Sequence, residues 1–435
     1  MKSFKLVSEN QITKALSKSN EKGLLNGDDT SVIFIDIDAI EERVSRLNSA
    51  FPESTLHAVA IKSNPLQSVL KSLVQMGTGL EAASLSEVMM AVDAGASLDR
   101  IVFDSPAKTK REIKLLQDQF PGIRINADSL HELKRYPQSE SKLKLGLRIN
   151  PDVQGKTVQS MDVSGAYSKF GQLITGNEQE IIDACLRWED LDCLHFHNGS
   201  QPKSFEPVYT AANRVLDLAE SINRAAGFGK ITTIDIGGGF PVNYADGPPF
   251  EIEEYATGLR EHCSRFFDGT YNLITEFGRY VHAHAGWVAT KIEYIKNAPN
   301  GKRIAIVHVG ADMFLRECYN PDDWQHKHFV LNPNFEPKAN FEPKTESENA
   351  SESELSTIDF AGPLCFGGDF IIRDSRLNDA AVNDWLVVLD VGANSFALWS
   401  RHCSRPFPKV ILASQESFKV IKPRETYDAI KRFWK

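Results

Sequence analysis

The 435-residue chain has no two cysteines at CxxC spacing. Its six cysteines, Cys185, Cys193, Cys263, Cys318, Cys365 and Cys403, are scattered, which argues against a zinc ribbon and a disulfide scaffold. No run approaches the roughly 18 apolar residues of a membrane-spanning helix. The stretch Met1–Asn10 lacks the apolar core of a signal peptide, so the expectation is a cytoplasmic protein. Positive charge is in short supply. Lys+Arg number 49 against 58 Asp+Glu, a net charge of −9. That balance disfavours non-specific nucleic-acid binding and anionic membrane surfaces. What remains is an ordinary globular composition, 42% hydrophobic and 25% charged, which excludes disordered, collagen-like and coiled-coil chains.

Short apolar runs recur near Leu56–Ile61, Gly79–Ala83, Ile101–Phe103, Ile123–Asn126, Leu145–Asn150, Leu194–His197, Thr232–Ile236 and Asn272–Thr275. Their spacing leaves room for helices between neighbours, and Glu112–Leu116 and Val208–Asn223 carry helical period. Eight strand–helix units suit a (β/α)8 barrel. A doubly wound open sheet alternates in the same way and stays open as the alternative. Beyond about residue 290 the texture becomes β-rich, at Arg303–Val309, Asp384–Asp390 and Lys409–Ala413. Ser31–Asp36 reads as a strand able to pair with that sheet. The expected organisation is an N-terminal strand in residues 1–42, a barrel over 43–290 and a β domain over 291–435. Within the last, residues 333–357 hold a duplicated Asn-Phe-Glu-Pro-Lys and a polar acidic run, which reads as a mobile linker.

In a barrel, residues at strand C-termini face the active site. The first barrel strand ends in Ile61-Lys62-Ser63-Asn64, and a partly desolvated lysine there is a candidate Schiff-base former. The sixth ends in His195-Phe196-His197-Asn198-Gly199-Ser200, with both histidines on one face. The seventh ends in Asp235-Ile236-Gly237-Gly238-Gly239-Phe240-Pro241, which is not GxGxxG and has no P-loop lysine. Its backbone N–H groups could still cradle a phosphate. The eighth ends in Thr275-Glu276-Phe277-Gly278-Arg279. Each has a plainer reading alone: a solvated loop lysine, a satisfied core histidine, a tight turn, a local ion pair. Together they are the parts that hold pyridoxal phosphate.

In content and order, His197–Ser200, Asp235–Pro241, Glu276–Arg279 and Gly362-Pro363-Leu364-Cys365 resemble the fold-type III pyridoxal-phosphate decarboxylases, the diaminopimelate and ornithine decarboxylase group. The resemblance runs from about Ile33 to Pro408, and Ser404–Pro408 looks closer to the diaminopimelate branch. It implies an alanine-racemase-like TIM barrel with a β domain. Lys62 would carry the cofactor as a Schiff base. His197 would stack on the ring, Ser200, Gly237, Gly238, Gly239 and Arg279 would hold the phosphate, and Asn394 would also lie at the cofactor. Glu276 would meet the pyridine nitrogen. Opposite charge keeps that nitrogen protonated and the ring a strong electron sink, which favours decarboxylation over racemisation. Arg279, Arg316, Tyr319 and Phe366 would contact the amino-acid substrate. Cys365 would protonate the substrate carbon across the interface of a homodimer with shared active sites, where Lys169 would pair with Asp369 of the partner subunit. No metal is implied.

Three positions depart from the family pattern. Phe366 follows the cysteine where the family has an acid for the substrate's distal amino group. Asn394, in Gly392-Ala393-Asn394, stands where the family has tyrosine. Phe277 replaces a proline. A phenylalanine cannot balance an ammonium. The expectation is therefore a bulkier or less basic substrate than diaminopimelate or ornithine, such as an amino-acid conjugate in siderophore assembly. The alternatives are a diaminopimelate decarboxylase proper, an amino-acid racemase, and a catalytically silent binding protein, which the presence of Lys62 and Cys365 disfavours.

Overall fold

A computed structural model describes residues 7–154, 163–244, 249–299, 301–338, 357–377 and 379–435. Most of the expected linker at 333–357 lies outside the described residues. The chain forms two units: Glu41–Val242 with Pro248–Val281, and Met1–Ile40 with Asn243–Gly247 and His282–Lys435. These divisions fall after residues 40 and 281 rather than 42 and 290. The reason is strand pairing: Gly286–Lys291 lies antiparallel beside Ser31–Asp36 and belongs to the β unit.

After β1 (Ser31–Asp36), the first unit is built from β2 (Leu56–Ala60), β3 (Gly79–Ala82), β4 (Ile101–Asp104), β5 (Arg124–Ala127), β6 (Lys144–Asn150), β8 (Leu191–His195), β9 (Thr233–Asp235) and β10 (Asn272–Thr275). A two-residue strand, β7 (Gln172–Leu173), flanks β6. All neighbours run parallel, and β10 pairs with β2, so eight strands close a barrel. The open-sheet alternative is thereby excluded. All eight apolar runs of the sequence become these strands. Helices cover them where amphipathic period meets a start signal. At Lys110–Gln119, Thr109 and Glu112 form a capping box. The helix Glu206–Ala226 has Pro207 in its first turn and ends at Gly227, whose φ of 76° is the left-handed stop that glycine supplies. Its face of Val215, Leu216, Ala219 and Ile222 is fully buried.

In the second unit β1 lies at the centre of a six-stranded sheet. Its neighbours are β11 (Gly286–Lys291) and β18 (Lys409–Ala413), and outward lie β17 (Trp385–Val388), β14 (His328–Leu331) and β19 (Phe418–Lys422). A four-stranded sheet holds β12 (Tyr294–Asn297), β13 (Arg303–Ile306), β15 (Ile358–Ala361) and β16 (Phe370–Ser375). The β domain is therefore discontinuous in sequence. Phe34 stacks on Trp287 at 5.3 Å between centroids, and Ile12 and Leu16 of the helix Glu9–Glu21 pack against them.

Candidate active site

The barrel unit places Lys62, His197, Ser200, Gly237, Gly238, Gly239, Glu276 and Arg279 on the segments that follow the C-terminal ends of its strands. Lys62 sits on the single 3-10 turn Ile61–Ser63 that ends β2. Its Nζ makes an ion pair with Glu81 of β3, whose side chain is fully buried. Burial disfavours the ammonium, but the charge and hydrogen bond of Glu81 outweigh it and hold Lys62 above its ordinary value. Desolvation alone thus does not make Lys62 a free amine.

The loop after β8 carries His197. Its Nδ1 accepts a hydrogen bond from the Gly238 N–H at 3.1 Å, which leaves Nε2 to bear the proton of the neutral ring. Burial, then Arg148 and Lys62, push the His197 pKa well down, so the ring is neutral, as a flat stacking surface needs. The three glycines are required by packing. A Cβ on Gly237 would stand 2.7 Å from the Phe196 carbonyl oxygen, and one on Gly238 would stand 2.8 Å from that of Glu276. Gly239 has φ +96°, and a Cβ there would overlap the Gly199 carbonyl oxygen. Arg279, buried on the short helix Gly278–His282, donates from Nη2 to Ser200 Oγ at 3.4 Å. Ser200 and Arg279 thus meet beside a Gly-rich turn packed so closely on neighbouring backbone that only glycine fits.

Replacing Gly239 with alanine is expected to destabilise the chain by about 2 kcal/mol. Cofactor retention on gel filtration should fall with it. A denaturant midpoint unchanged from wild type would count against the close approach.

Below this rim the barrel holds an unexpected cluster. Asp104, His195, Asp235 and Glu276 are all buried and offer ligand atoms within 4.8 Å of one another. His195 Nε2 lies 3.6 Å from Asp104 and 3.8 Å from Glu276. Glu276 Oε1 has no hydrogen-bond partner. Burial, then the charges of Asp235 and Asp104, push the Glu276 pKa well up. Asp104 stays ionised: burial opposes its charge, but His195 and the proton on Glu276 outweigh it. A neutral Glu276 beside an ionised Asp104 is the arrangement that close like charges favour. Burial and the charge of Asp104 push Asp235 up to about 7. Sequence reasoning noticed His195 and Asp235 only as motif members and missed Glu81 and Asp104. The available signal was a carboxylate inside or ending an otherwise apolar strand, in Gly79-Leu80-Glu81-Ala82 and Ile101-Val102-Phe103-Asp104.

Asp235 gives a pH prediction. Its folded pKa is raised, so rising pH favours unfolding between the ordinary value near 3.8 and about 7. Asp235→Asn keeps the acceptor for the Gly237 N–H. In the cofactor-free protein this variant should therefore lose less thermal stability than wild type between pH 5 and pH 7. Parallel melting curves would contradict the assignment.

The other expected residues belong to the β unit. Cys365 is exposed and Phe366 partly buried. Phe366 stacks on Tyr319 at 4.9 Å and 14°. Arg316 lies with its guanidinium 5.0 Å from the Trp324 ring centroid. Asn394 takes φ 57°, a left-handed conformation that asparagine tolerates better than most residues. Lys169, in the barrel unit, is exposed beside the Phe170 ring.

Asp369, expected to meet Lys169 across a subunit interface, is 3% exposed within its own chain. Its oxygens accept from the Ala311 N–H at 2.6 Å and the Leu364 N–H at 2.7 Å, and it packs against Gly310 and Gly362. A carboxylate so placed fixes the turn that carries Cys365.

A family model described as "pyridoxal-dependent decarboxylase, pyridoxal binding domain" matches residues 37–283. The chain belongs to that family. Among curated relatives, diaminopimelate decarboxylase of Methanothermobacter thermautotrophicus is 29% identical over 419 residues, covering 93% of this chain and 91% of the relative. That of Aquifex aeolicus is 28% identical, covering 90% and 88%. Among solved structures, diaminopimelate decarboxylase of Helicobacter pylori complexed with L-lysine has a TM-score of 0.80 at 26% identity, covering 95% of this chain and 99% of that one. A lysine/ornithine decarboxylase of Vibrio vulnificus, at 20% identity and a TM-score of 0.75, shares the fold.

The protein is thus a pyridoxal-phosphate-dependent amino-acid decarboxylase, a carboxy-lyase. The residues present fit that cofactor. Arg279 and Ser200 meet beside the glycine turn, as a phosphate site requires, and the buried Oε1 of Glu276 has no hydrogen-bond partner. When bound, the cofactor supplies an electron sink for the electrons left by departing carbon dioxide. Among the described residues no helix is long and apolar enough to cross a membrane.

Proposed function

We propose that the chain decarboxylates diaminopimelate. The supporting observation is that relatives bearing that name match along 90% and 93% of this chain, well beyond the cofactor-binding domain. The match therefore extends into the β unit, which carries Arg316 and Cys365. Lys62 would hold the cofactor through its side-chain amine. His197 would lie against it, and Ser200, Arg279 and the glycine turn would hold its phosphate. Glu276 keeps a proton at the ring nitrogen, and Cys365 returns a proton to the substrate carbon. Cys365 does so in the other copy of a homodimer, a role suited to its exposure on its own chain.

A second reading rests on Phe366. Its stack on Tyr319 puts an aromatic surface where the family carries an acid, which suits a substrate with a bulkier or less basic end. The expectation of a specialised substrate finds no support in the relatives' names. Released carbon dioxide measured on the holoenzyme with meso-diaminopimelate and a panel of amino-acid conjugates separates the two. Selective turnover of meso-diaminopimelate supports the first reading; turnover confined to a conjugate overturns it. Phe366→Asp should raise kcat/KM for L-lysine or ornithine by about tenfold, since it supplies a charge for the distal ammonium. An unchanged ratio would mean Phe366 does not meet that end of the substrate.

A further inference from the structure

Four of the six cysteines, Cys185, Cys193, Cys263 and Cys318, are buried, and the two exposed ones lie side by side. The backbone N–H of Cys365 donates to Cys403 Sγ at 3.5 Å. Adding one N–Cα bond of about 1.46 Å places that sulfur within about 5 Å of the Cys365 Cα. A sulfur that near a cysteine Cα is within reach of that cysteine's own thiol, the first requirement of a disulfide.

Both loops are held in place. The Cys365 turn is fixed by Asp369 through the Leu364 N–H and by the Phe366 N–H donating to the Leu364 carbonyl at 2.8 Å. Cys403 and Ser404 are successive non-glycine residues with φ 55° and 50°. Such conformations persist only where the surroundings impose them. Here the Ser404 N–H donates to the Arg401 carbonyl at 2.9 Å and Trp434 Nε1 donates to Ser404 Oγ at 3.1 Å. The Arg401–Glu425 ion pair anchors the same loop. Rotation of the exposed Cys365 side chain is the motion that closes the S–S bond.

We infer that Cys365 and Cys403 form a dithiol–disulfide pair, a hydroperoxide-sensitive modification site that withdraws the proton-donating thiol from catalysis. One thiolate attacks the peroxide: the O–O bond breaks, one water leaves, and a sulfenic acid remains. The second thiolate attacks that sulfur, the S–S bond forms, and the departing hydroxide is protonated to a second water. Two thiols are oxidised as one peroxide is reduced, and a dithiol reductant reverses the change. The consequence for catalysis rests on Cys365 being the proton donor, whereas the pairing itself does not.

The test treats holoenzyme with hydrogen peroxide, maps peptides by mass spectrometry and measures carbon dioxide release before and after dithiothreitol. The expected result is a cross-linked peptide joining Cys365 and Cys403, with turnover lost and then recovered. Cys403→Ser should keep its turnover and show neither the cross-link nor a reversible loss. Cys403→Ala serves if the serine variant folds poorly. Absence of the cross-link from oxidised wild type overturns the pairing, as does the same reversible loss in the Cys403 variants. A cross-link formed with turnover intact overturns the place of Cys365 in catalysis and leaves the pairing standing.

Discussion

Lys62→Ala is expected to abolish decarboxylation, by on the order of 10⁴-fold or more, and to remove the yellow absorbance of the holoenzyme that borohydride bleaches. The size of the effect follows from position. Lys62 ends β2 at the barrel mouth, and its side chain is 51% exposed, so it can reach a ligand. Its nearest rival cannot replace it. Lys108 is fully buried, and its Nζ is taken up by the Ser105 and Asn126 carbonyls and by Glu132. The variant also leaves Glu81 buried without its cation, so a loss of stability accompanies the loss of activity. Absorbance separates the two, because a folded variant lacking the band still reports the missing amine. A retained band with normal turnover would refute the assignment.

Glu276→Gln is expected to lower kcat by roughly 10²- to 10³-fold, the loss seen when a buried electrostatic partner is removed. Glutamine keeps the shape of the side chain and removes the charge that stabilises a protonated ring nitrogen. Asp104 does not substitute, since its carboxylate faces His195 at 3.6 Å. In the cofactor-free protein the same variant should be neutral or stabilising at pH 7, because the Glu276 carboxyl is already held in its neutral form by burial and by Asp235 and Asp104. Activity and apo stability thus move independently, which a merely structural residue would not do. The check is single-turnover carbon dioxide release at matched cofactor occupancy. Wild-type turnover there would exclude Glu276 from the role.

Much of the fold was legible in the sequence. Each barrel strand was a short apolar run bounded by polar chain, and a parallel strand buried on both faces reads that way. The residues that end these strands were legible for the same reason: Lys62, His197, Gly237 to Gly239, Glu276 and Arg279 each directly follow such a run. Glu81 and Asp104 were hidden because a strand buried on both faces shows no alternation to say which side chains point inward. The surroundings of Asp369 were hidden because a motif places an acid in the chain but does not say where its hydrogen-bond donors are. Those donors lie at Ala311 and Leu364, 58 and 5 residues away. Cys365 and Cys403, 38 residues apart, gave no local signal of their proximity.

The sequence by itself determined the strand count, the positions of the strand-end residues and the absence of CxxC pairs, since all of these follow from local patterning. It also carried the glycine turn as a feature. Only the tertiary structure decided that this turn needs glycine, because the atoms a Cβ would strike belong to the Phe196, Gly199 and Glu276 backbones. Protonation was decided there too. Closing the barrel brings Glu81, Asp104, Asp235 and Glu276 from four strands into one dry interior. A carboxyl's affinity for its proton depends on burial and on charges close in space, which chain order does not encode.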